Sequence, residues 1–426
     1  MDQWKTQSQT IRKSGLTMKI YKFGGASVKN GEAVKNMTTI SQMGGPEILI
    51  VVSAMGKSTN ALEEIHQAWR ANQSLTEKLD ALYHFHHAIA QELQLNDECF
   101  WIEKWNQLVL RLNEIPTGDF DFTYDQIIPY GEILSTSIIH DYWNAIGFRH
   151  QWLDATSFIK TDHRHREARI NWDTTNEKIK TLSKEKIYIT QGFIGSDEKD
   201  NWTTLGREGS DYSASIFAHG FSAESVTIWK DVAGMLSADP KIHADAELIP
   251  LISYSEAIEL AYYGASVIHP KTIQPLQPTG IPLHIKSFVS PQDAGTSIGQ
   301  FNVTQYPTCI IEKSNQILAS ISTKDFSFIV EDNLQEIFSA LNDRGIKIQM
   351  MENGARSFSM CLQCEEHKLL DLQDFLKEKY NLRYNAPVKL ITLRHYQPED
   401  LKKWESESIL MEQKNRTTAR FVIQNH

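Results

Sequence analysis

Lys22 opens the stretch KFGGASV (22–28), in which a cation and two adjacent glycines follow the short strand-like run MKIY (18–21). Glycines let backbone N–H groups face an anion, and a following helix adds its positive end, so this pattern suits phosphate chemistry. The third glycine of a dinucleotide fingerprint is missing, as is the GK[ST] of a P-loop. Taken alone, the stretch is more economically a tight turn with a surface lysine. TLGREGSDYSASIFA (204–218) is richer: Gly206 and Gly209 flank Arg207, and Ser210-Asp211 open a helix with Ser210 as the N-cap candidate. An arginine there can grip a planar carboxylate or a phosphate through two hydrogen bonds. The same residues also read as a capped helix with one exposed arginine.

Three further stretches carry candidate groups. GEILST (131–136) sets Glu132 at the start of an apolar helix. KDVAGMLSADPK (230–241) follows a strand and brings Lys230, Asp231, Leu236 and Lys241 to a loop. Loops at the carboxyl ends of sheet strands are where α/β folds bind ligands. SYSEAIELAYYGASVIHPKT (253–272) reads as a helix stopped by Gly264, with Lys271 following beside the same sheet. Other clusters are plainer. HFHH (84–87) reads as a solvated helix face, and TDHRHREAR (161–169) as a basic loop, either plain surface or next to a small anionic molecule.

The elements that must hold these groups alternate. EILIVVSAM (47–55) has the branched apolar run of a buried parallel strand, and helices follow from about residue 60 to 112. KIYITQGFIG (186–195) and SVTIWKD (225–231) are further strands, with the helix-like DYSASIFAHG between them. Strand, helix, strand at this spacing predicts an α/β sheet with crossover helices. From about residue 300 the order becomes β (317–323), α (333–345), β (346–351), β (357–365), α (367–380), β (388–396), a small α+β unit. A short helix and a hairpin close the chain. Residues 1–17 read as a disordered extension.

Bulk composition narrows the function classes. The 426 residues suffice for two or three domains, and hydrophobic (41%) and charged (23%) fractions permit a large core. With 43 Lys+Arg against 53 Asp+Glu, the net charge of −10 disfavours nucleic acid or an anionic membrane as the main partner. The longest apolar run, Ile48 to Val52, is too short to span a bilayer, and the polar N-terminus lacks a secretory core. The expectation is a cytoplasmic protein. Its four cysteines are no disulfide framework, and Cys361-Leu-Gln-Cys364 is half a zinc motif without a second half, so no metal site is expected.

In this order, the stretches resemble aspartate kinase, of the amino-acid kinase superfamily. KFGGASV is similar to the family's opening motif, and VVSAMGKSTN, GEILST, TLGREGSD, KDVAGMLSADP and ELAYYGASVIHPKT are similar to later ones. The resemblance is dense over 18–300, and over 311–426 it rests on element order alone. It implies a three-layer αβα catalytic domain followed by an ACT-like, ferredoxin-like regulatory region whose second unit is shortened. The implied reaction is transfer of the γ-phosphate of ATP, with Mg2+, to the side-chain carboxylate of L-aspartate. Such a step opens lysine, threonine and methionine biosynthesis. Because the acceptor is already ionised at neutral pH, alignment and charge neutralisation should carry catalysis rather than a strong base.

The resemblance also implies roles. Lys22 would sit on the transferring phosphoryl group, Gly24, Gly25 and Ser27 beneath the phosphates, and Asp211 would orient Lys22 and the opposing cation. Ser53, Thr59, Glu132, Arg207, Gly209 and Ser210 match the aspartate site, and Lys230, Asp231, Leu236, Lys241, Ser266 and Lys271 the nucleotide site. Departures concern mainly the nucleotide: Ala26 replaces a hydroxyl residue, Lys230 a threonine, Leu236 a tyrosine and Ser266 a lysine. Lys271 is the expected substitute for that last charge. In the tail, Asn353-Gly-Ala-Arg356-Ser357 replaces the family's Ser-Glu effector loop. A lysine or threonine effector is implied without a choice between them, and exposed β edges suggest a homodimer. Two other readings stand beside this one: a sister kinase with another carboxylate substrate, and a non-catalytic amino-acid sensor.

Overall fold

The computed structural model describes residues 17–96, 98–116, 118–265, 267–325, 327–404 and 407–424. The expected disordered extension, Thr17 apart, and Ser266 lie outside the described residues. The chain forms two compact units. The first comprises residues up to 234, 250–254 and 269–301, and the second 235–249, 255–268 and 302–426. Segments 235–249 and 255–268, read in sequence with the catalytic domain, thus cluster with the second unit.

The first unit is built on strands β1 (Lys19–Phe23), β2 (Ile48–Val52), β3 (Gln151–Leu153) and β4 (Tyr188–Gln191). A small hairpin, β5 (Ile194–Ser196) and β6 (Trp202–Thr204), precedes β7 (Ser225–Lys230), β8 (Leu251–Ser253), β9 (Leu283–Ser287) and β10 (Thr296–Gly299). The main sheet runs β3-β4-β2-β1-β7-β9-β10-β8. It is parallel from β3 to β9, and β10 turns antiparallel to β9. All five residues of β2 are buried, which explains its unbroken Ile-Leu-Ile-Val-Val run. Each such side chain contributes about 1.5–3 kcal/mol of burial free energy. Helix Gly209–Phe221 packs across β1, β2 and β7, and helix Tyr130–Ala145 across β2, β3 and β4. Because β1, β2, β4 and β7 are parallel neighbours, their carboxyl ends open on one edge, where Gly24, Ser53, Gly192 and Asp231 follow.

HFHH belongs to helix Thr76–Glu92, and the solvated-face reading holds for the exposed His84 alone. His86 is fully buried, with Nε2 3.2 Å from Ser58 Oγ, and its burial holds the imidazole down at about 4. Packing of this helix against neighbouring helices outweighs the polar residue type here.

The second unit holds a six-stranded antiparallel sheet, β12-β13-β11-β14-β16-β15. Its strands are β11 (Cys309–Thr323), β12 (Lys347–Asn353), β13 (Ser357–Gln363), β14 (Tyr380–Arg394), β15 (Ile409–Lys414) and β16 (Thr418–Gln424). Helices Glu331–Asp343 and Glu366–Leu376 complete the expected βαββαβ order. Strands β11 and β14 are both longer than their apolar cores indicate, 15 residues each. Their polar stretches read as loop, yet they pair with each other from Cys309↔Arg394 to Thr323↔Tyr380 across a bulge at Lys313–Leu318. Cross-strand hydrogen bonding carries them through residues that local hydrophobicity would not. Within this unit Arg394 grips Glu256 through two bonds (2.9 and 2.6 Å) and Glu259 at 3.1 Å, tying helix Tyr254–Tyr263 to the sheet.

Candidate active site

At the carboxyl edge of the parallel sheet lies a cavity of about 290 Å³. The end of β1 supplies Lys22 and the turn after it Gly25, the loop after β2 supplies Ser53, Ala54 and Gly56, and helix Ser58–Arg70 supplies Thr59. Glu132 reaches it from the first turn of helix Tyr130–Ala145, and the start of helix Gly209–Phe221 brings Gly209, Ser210 and Asp211. Residues separated by up to 189 positions thus share one wall because four parallel strands end together.

The charges are arranged in a chain. Asp211, fully buried, receives Lys22 Nζ at 2.6 Å on Oδ1 and Lys230 Nζ at 3.3 Å on Oδ2. Burial alone would raise the Asp211 carboxyl, but the two ammonium groups outweigh it and hold it below the usual carboxylate range. Two cations are held against one carboxylate, with Lys22 and Asp211 on the cavity wall and Lys230 behind it. Ser210 and Asp211 add first-turn N–H groups, which have no preceding turn to accept them.

Glu132 is the opposite case. It is buried, and burial pushes its carboxyl up to about 8, partly offset by an N–H bond from Ala54 and by Lys22. Its Oε2 has no hydrogen-bond partner among the described residues. A buried, unsatisfied acceptor on a cavity wall is suited to a cationic donor brought by a ligand.

The glycines of KFGGASV answer to different neighbours. A Cβ on Gly25 would stand 2.6 Å from the Ala54 carbonyl oxygen and 3.1 Å from that of Gly56. The backbone of the loop after β2 is what approaches Gly25, and Gly56 N–H bonds its carbonyl at 3.1 Å. A Cβ on Gly24 would meet only Lys22 Nζ, at 3.5 Å. Gly25→Ala is therefore expected to force two loops apart, lowering stability by about 1–3 kcal/mol. Because both loops wall the cavity, turnover should fall with the melting temperature, whereas Gly24→Ala should leave the melting temperature near wild type; differential scanning calorimetry and initial rates on both variants check this.

Other expected site residues stand elsewhere. Gly24 and Ser27 do not line the cavity, and Ser27 is buried in a short 3-10 turn, its N–H on Gly24 O. Arg207 is exposed and off the wall, turned outward where Gly206 (φ +75°) and Glu208 (φ +55°) reverse the chain on either side. Asp231 is exposed, and Leu236 and Lys241 belong to the second unit. Lys271 lines a neighbouring cavity of the first unit. Glu208, not Ser210, is the N-cap residue of helix Gly209–Phe221, so the helix starts two residues earlier than read, from a left-handed backbone. Sequence reasoning missed Ala54, Gly56, Phe193, Gly206 and Glu208 on the wall. Phe193 was findable, because TQGFIG follows a strand whose carboxyl end must face the site.

The amino acid kinase family model matches residues 17–287, well over half of the chain. The chain belongs to the amino acid kinase family. Within this family it is 30% identical over 387 residues to aspartokinase 1 of Arabidopsis thaliana, covering 85% of this chain and 66% of the relative. The aspartokinase of Chlamydia pneumoniae is 29% identical, with 88% and 84% of the two chains covered. The lysine-sensitive aspartokinase 3 of Escherichia coli is 29% identical over 80% of this chain and 78% of its own. In structure, E. coli aspartokinase III in complex with lysine and aspartate superposes with a TM-score of 0.81, 24% identity and 96% coverage of both chains. That likeness supports the amino acid kinase fold followed by an antiparallel-sheet region, over 96% of the chain. No helix of the described residues is long and apolar enough to cross a membrane.

Proposed function

We infer that the protein is an aspartate kinase, transferring the γ-phosphate of ATP to the side-chain carboxylate of L-aspartate. The observation that carries this reading is Lys22 and Asp211 beside the orphan Glu132 acceptor in one cavity, with Lys230 paired to the same Asp211. The aspartokinase relatives support it. A phosphoryl group moving between two anionic oxygens needs positive charge held ready along its path. Lys22 and Lys230, fixed by one buried carboxylate, supply that charge without reorganising during transfer. In our reading the first-turn N–H groups of Ser210 and Asp211 receive a phosphate or carboxylate oxygen. Glu132 takes the substrate ammonium and Ser53 and Thr59 its remaining polar atoms, while Arg207, exposed between two wall residues, has to turn inward to grip its α-carboxylate. The acceptor carboxylate then attacks phosphorus as the bond to the β-phosphate oxygen breaks, giving 4-phospho-L-aspartate and ADP. No proton needs to be removed from the nucleophile.

Among the described residues no group of three or more His, Cys, Asp or Glu side chains gathers that could hold a metal ion. Asp211 is moreover occupied by two lysines. We therefore treat Mg2+ as entering with the nucleotide, as part of the substrate. We further propose an amino-acid effector for the second unit, a homodimer, and a cytoplasmic location. The unpaired edges of β12 and β15 support the dimer. A non-catalytic sensor is not favoured, because it would have no use for a buried carboxylate clamped between two lysines.

The test is direct. Incubation with MgATP, aspartate and hydroxylamine should yield aspartyl hydroxamate. Product with another carboxylate alone would favour a sister kinase, and none with any amino acid would refute the reading.

Glu132 adds a pH signature. Binding an ammonium at Oε2 favours the ionised carboxylate, so substrate binding expels the Glu132 proton. Affinity therefore rises as pH climbs towards about 8. A one-proton titration there predicts that KM for aspartate falls about fivefold from pH 7 to pH 8. Glu132→Gln should raise KM and flatten this dependence; an equally steep profile in the variant would remove Glu132 from the role.

A further inference from the structure

Next to the catalytic cavity, in the same unit, is a larger one of about 860 Å³. The basic segment TDHRHREAR forms one side, and Tyr212 and Lys271 converge on it from two helices. The segment is held in shape by the buried carboxylate of Asp125 and the half-exposed one of Asp162. Asp125, 0% exposed, accepts N–H groups from Arg166 (2.9 Å) and Thr204 (3.0 Å) and the Thr204 hydroxyl (2.7 Å), with His165 Nδ1 at 3.1 Å. Asp162 Oδ1 accepts N–H from both Arg164 (3.2 Å) and Arg169 (3.0 Å), and Arg166 takes the left-handed turn at φ +65°.

The wall carries three cations (Arg164, Arg169, Lys271) and three carboxylates (Asp119, Asp121, Glu167), but two of those carboxylates are already engaged. Asp119 is engaged by the N–H groups of Asp121 and Phe122, and Asp121 faces Arg166 at 3.3 Å. Arg164 touches Asp162 only loosely, at 3.6 Å. The Arg169 guanidinium and Lys271 ammonium form no ion pair or side-chain hydrogen bond among the described residues, against one similarly unengaged carboxylate, Glu167. Burial raises the Tyr212 phenol, which stays a neutral donor at physiological pH. Arginines on a pre-shaped loop, a converging lysine and a phenol form the donor set that multiply charged oxyanions select.

We propose that this cavity binds a small polyanion of the phosphate or polycarboxylate class, held by Arg164, Arg169 and Lys271. It is distinct from the catalytic cavity but close to it. A Cβ on Gly206, which lies on the catalytic wall, would stand 3.0 Å from Arg166 O and 3.7 Å from Lys271 Nζ. The proposal does not depend on the phosphotransfer reading.

Isothermal titration of the full chain at constant ionic strength, with inorganic phosphate in one arm and citrate in the other, tests it. Saturable one-to-one binding is expected in at least one arm, and the tighter arm identifies the head group. The exposed pair Arg164→Gln/Arg169→Gln should weaken that binding at least tenfold, while Lys22→Met should leave it within twofold. Absence of saturable binding in both arms overturns the proposal. So does binding that Lys22→Met abolishes and the double variant leaves intact, since the anion would then occupy the catalytic cavity.

Discussion

Lys22→Met lowers kcat by at least about 10²–10³-fold, the scale for removing one pre-placed group that stabilises transition-state charge. Methionine keeps the length and apolar character of the lysine stem, which is almost wholly buried (side chain 8% exposed), so the cavity keeps its shape. What disappears is the ammonium 2.6 Å from Asp211. Asp211 retains Lys230, so the fold survives with an altered pH response. A carboxylate held below its ordinary value of 3.8 stabilises the fold above that pH, and the contribution is lost as pH falls through the lower, folded value. With one lysine gone the folded value rises, and the stability lost on acidification comes from a smaller total. Steady-state rates, circular dichroism and thermal melts between pH 3 and 7 test both halves. Turnover within tenfold of wild type would remove Lys22 from the phosphoryl path.

Asp211→Asn is the complementary experiment and should damage stability and catalysis together. Breaking a buried ion pair from one side typically costs about 3–5 kcal/mol, because the surviving charge stays buried without compensation. Lys22, with an 8% exposed side chain, stays largely buried, whereas Lys230, with a 20% exposed side chain, can turn outward. The two lysines then no longer share an anchor, and the positive charge meant for the phosphoryl group spreads apart. We expect kcat to fall by about 10²-fold or more and the melting temperature by several degrees. Loss of activity at unchanged melting temperature would mean that Asp211 does not organise the lysines. Loss of stability at unchanged kcat would mean that they act without it.

Much of the fold was legible because its signals are local. The Ile48–Val52 run can only be a doubly covered strand, and Gly264, at φ +120°, stops a helix where a glycine stop was read. The polar stretches of β11 and β14 were not legible, since their only reason to be strands is each other. The same division runs through the site. Lys22, Glu132 and Asp211 were selected as residue types at element ends, which local pattern can reveal. Asp125 was missed because a carboxylate within FTYDQI is an ordinary helix-surface residue until a basic loop and β6 fold over it.

KFGGASV shows where that boundary lies. By itself the sequence determined that the chain after β1 needs a glycine, and that a lysine precedes it. It also determined the order of the ligand-bearing stretches, and with it the family. It did not determine what the glycine is for. Only the tertiary structure decided that the Ala54–Gly56 backbone closes on Gly25, and that Lys22 turns to a buried carboxylate 189 residues away. The reason is physical: a close approach needs a glycine whoever approaches, so residue type records the lack of room. The approaching partner is fixed by the parallel alignment of distant strands.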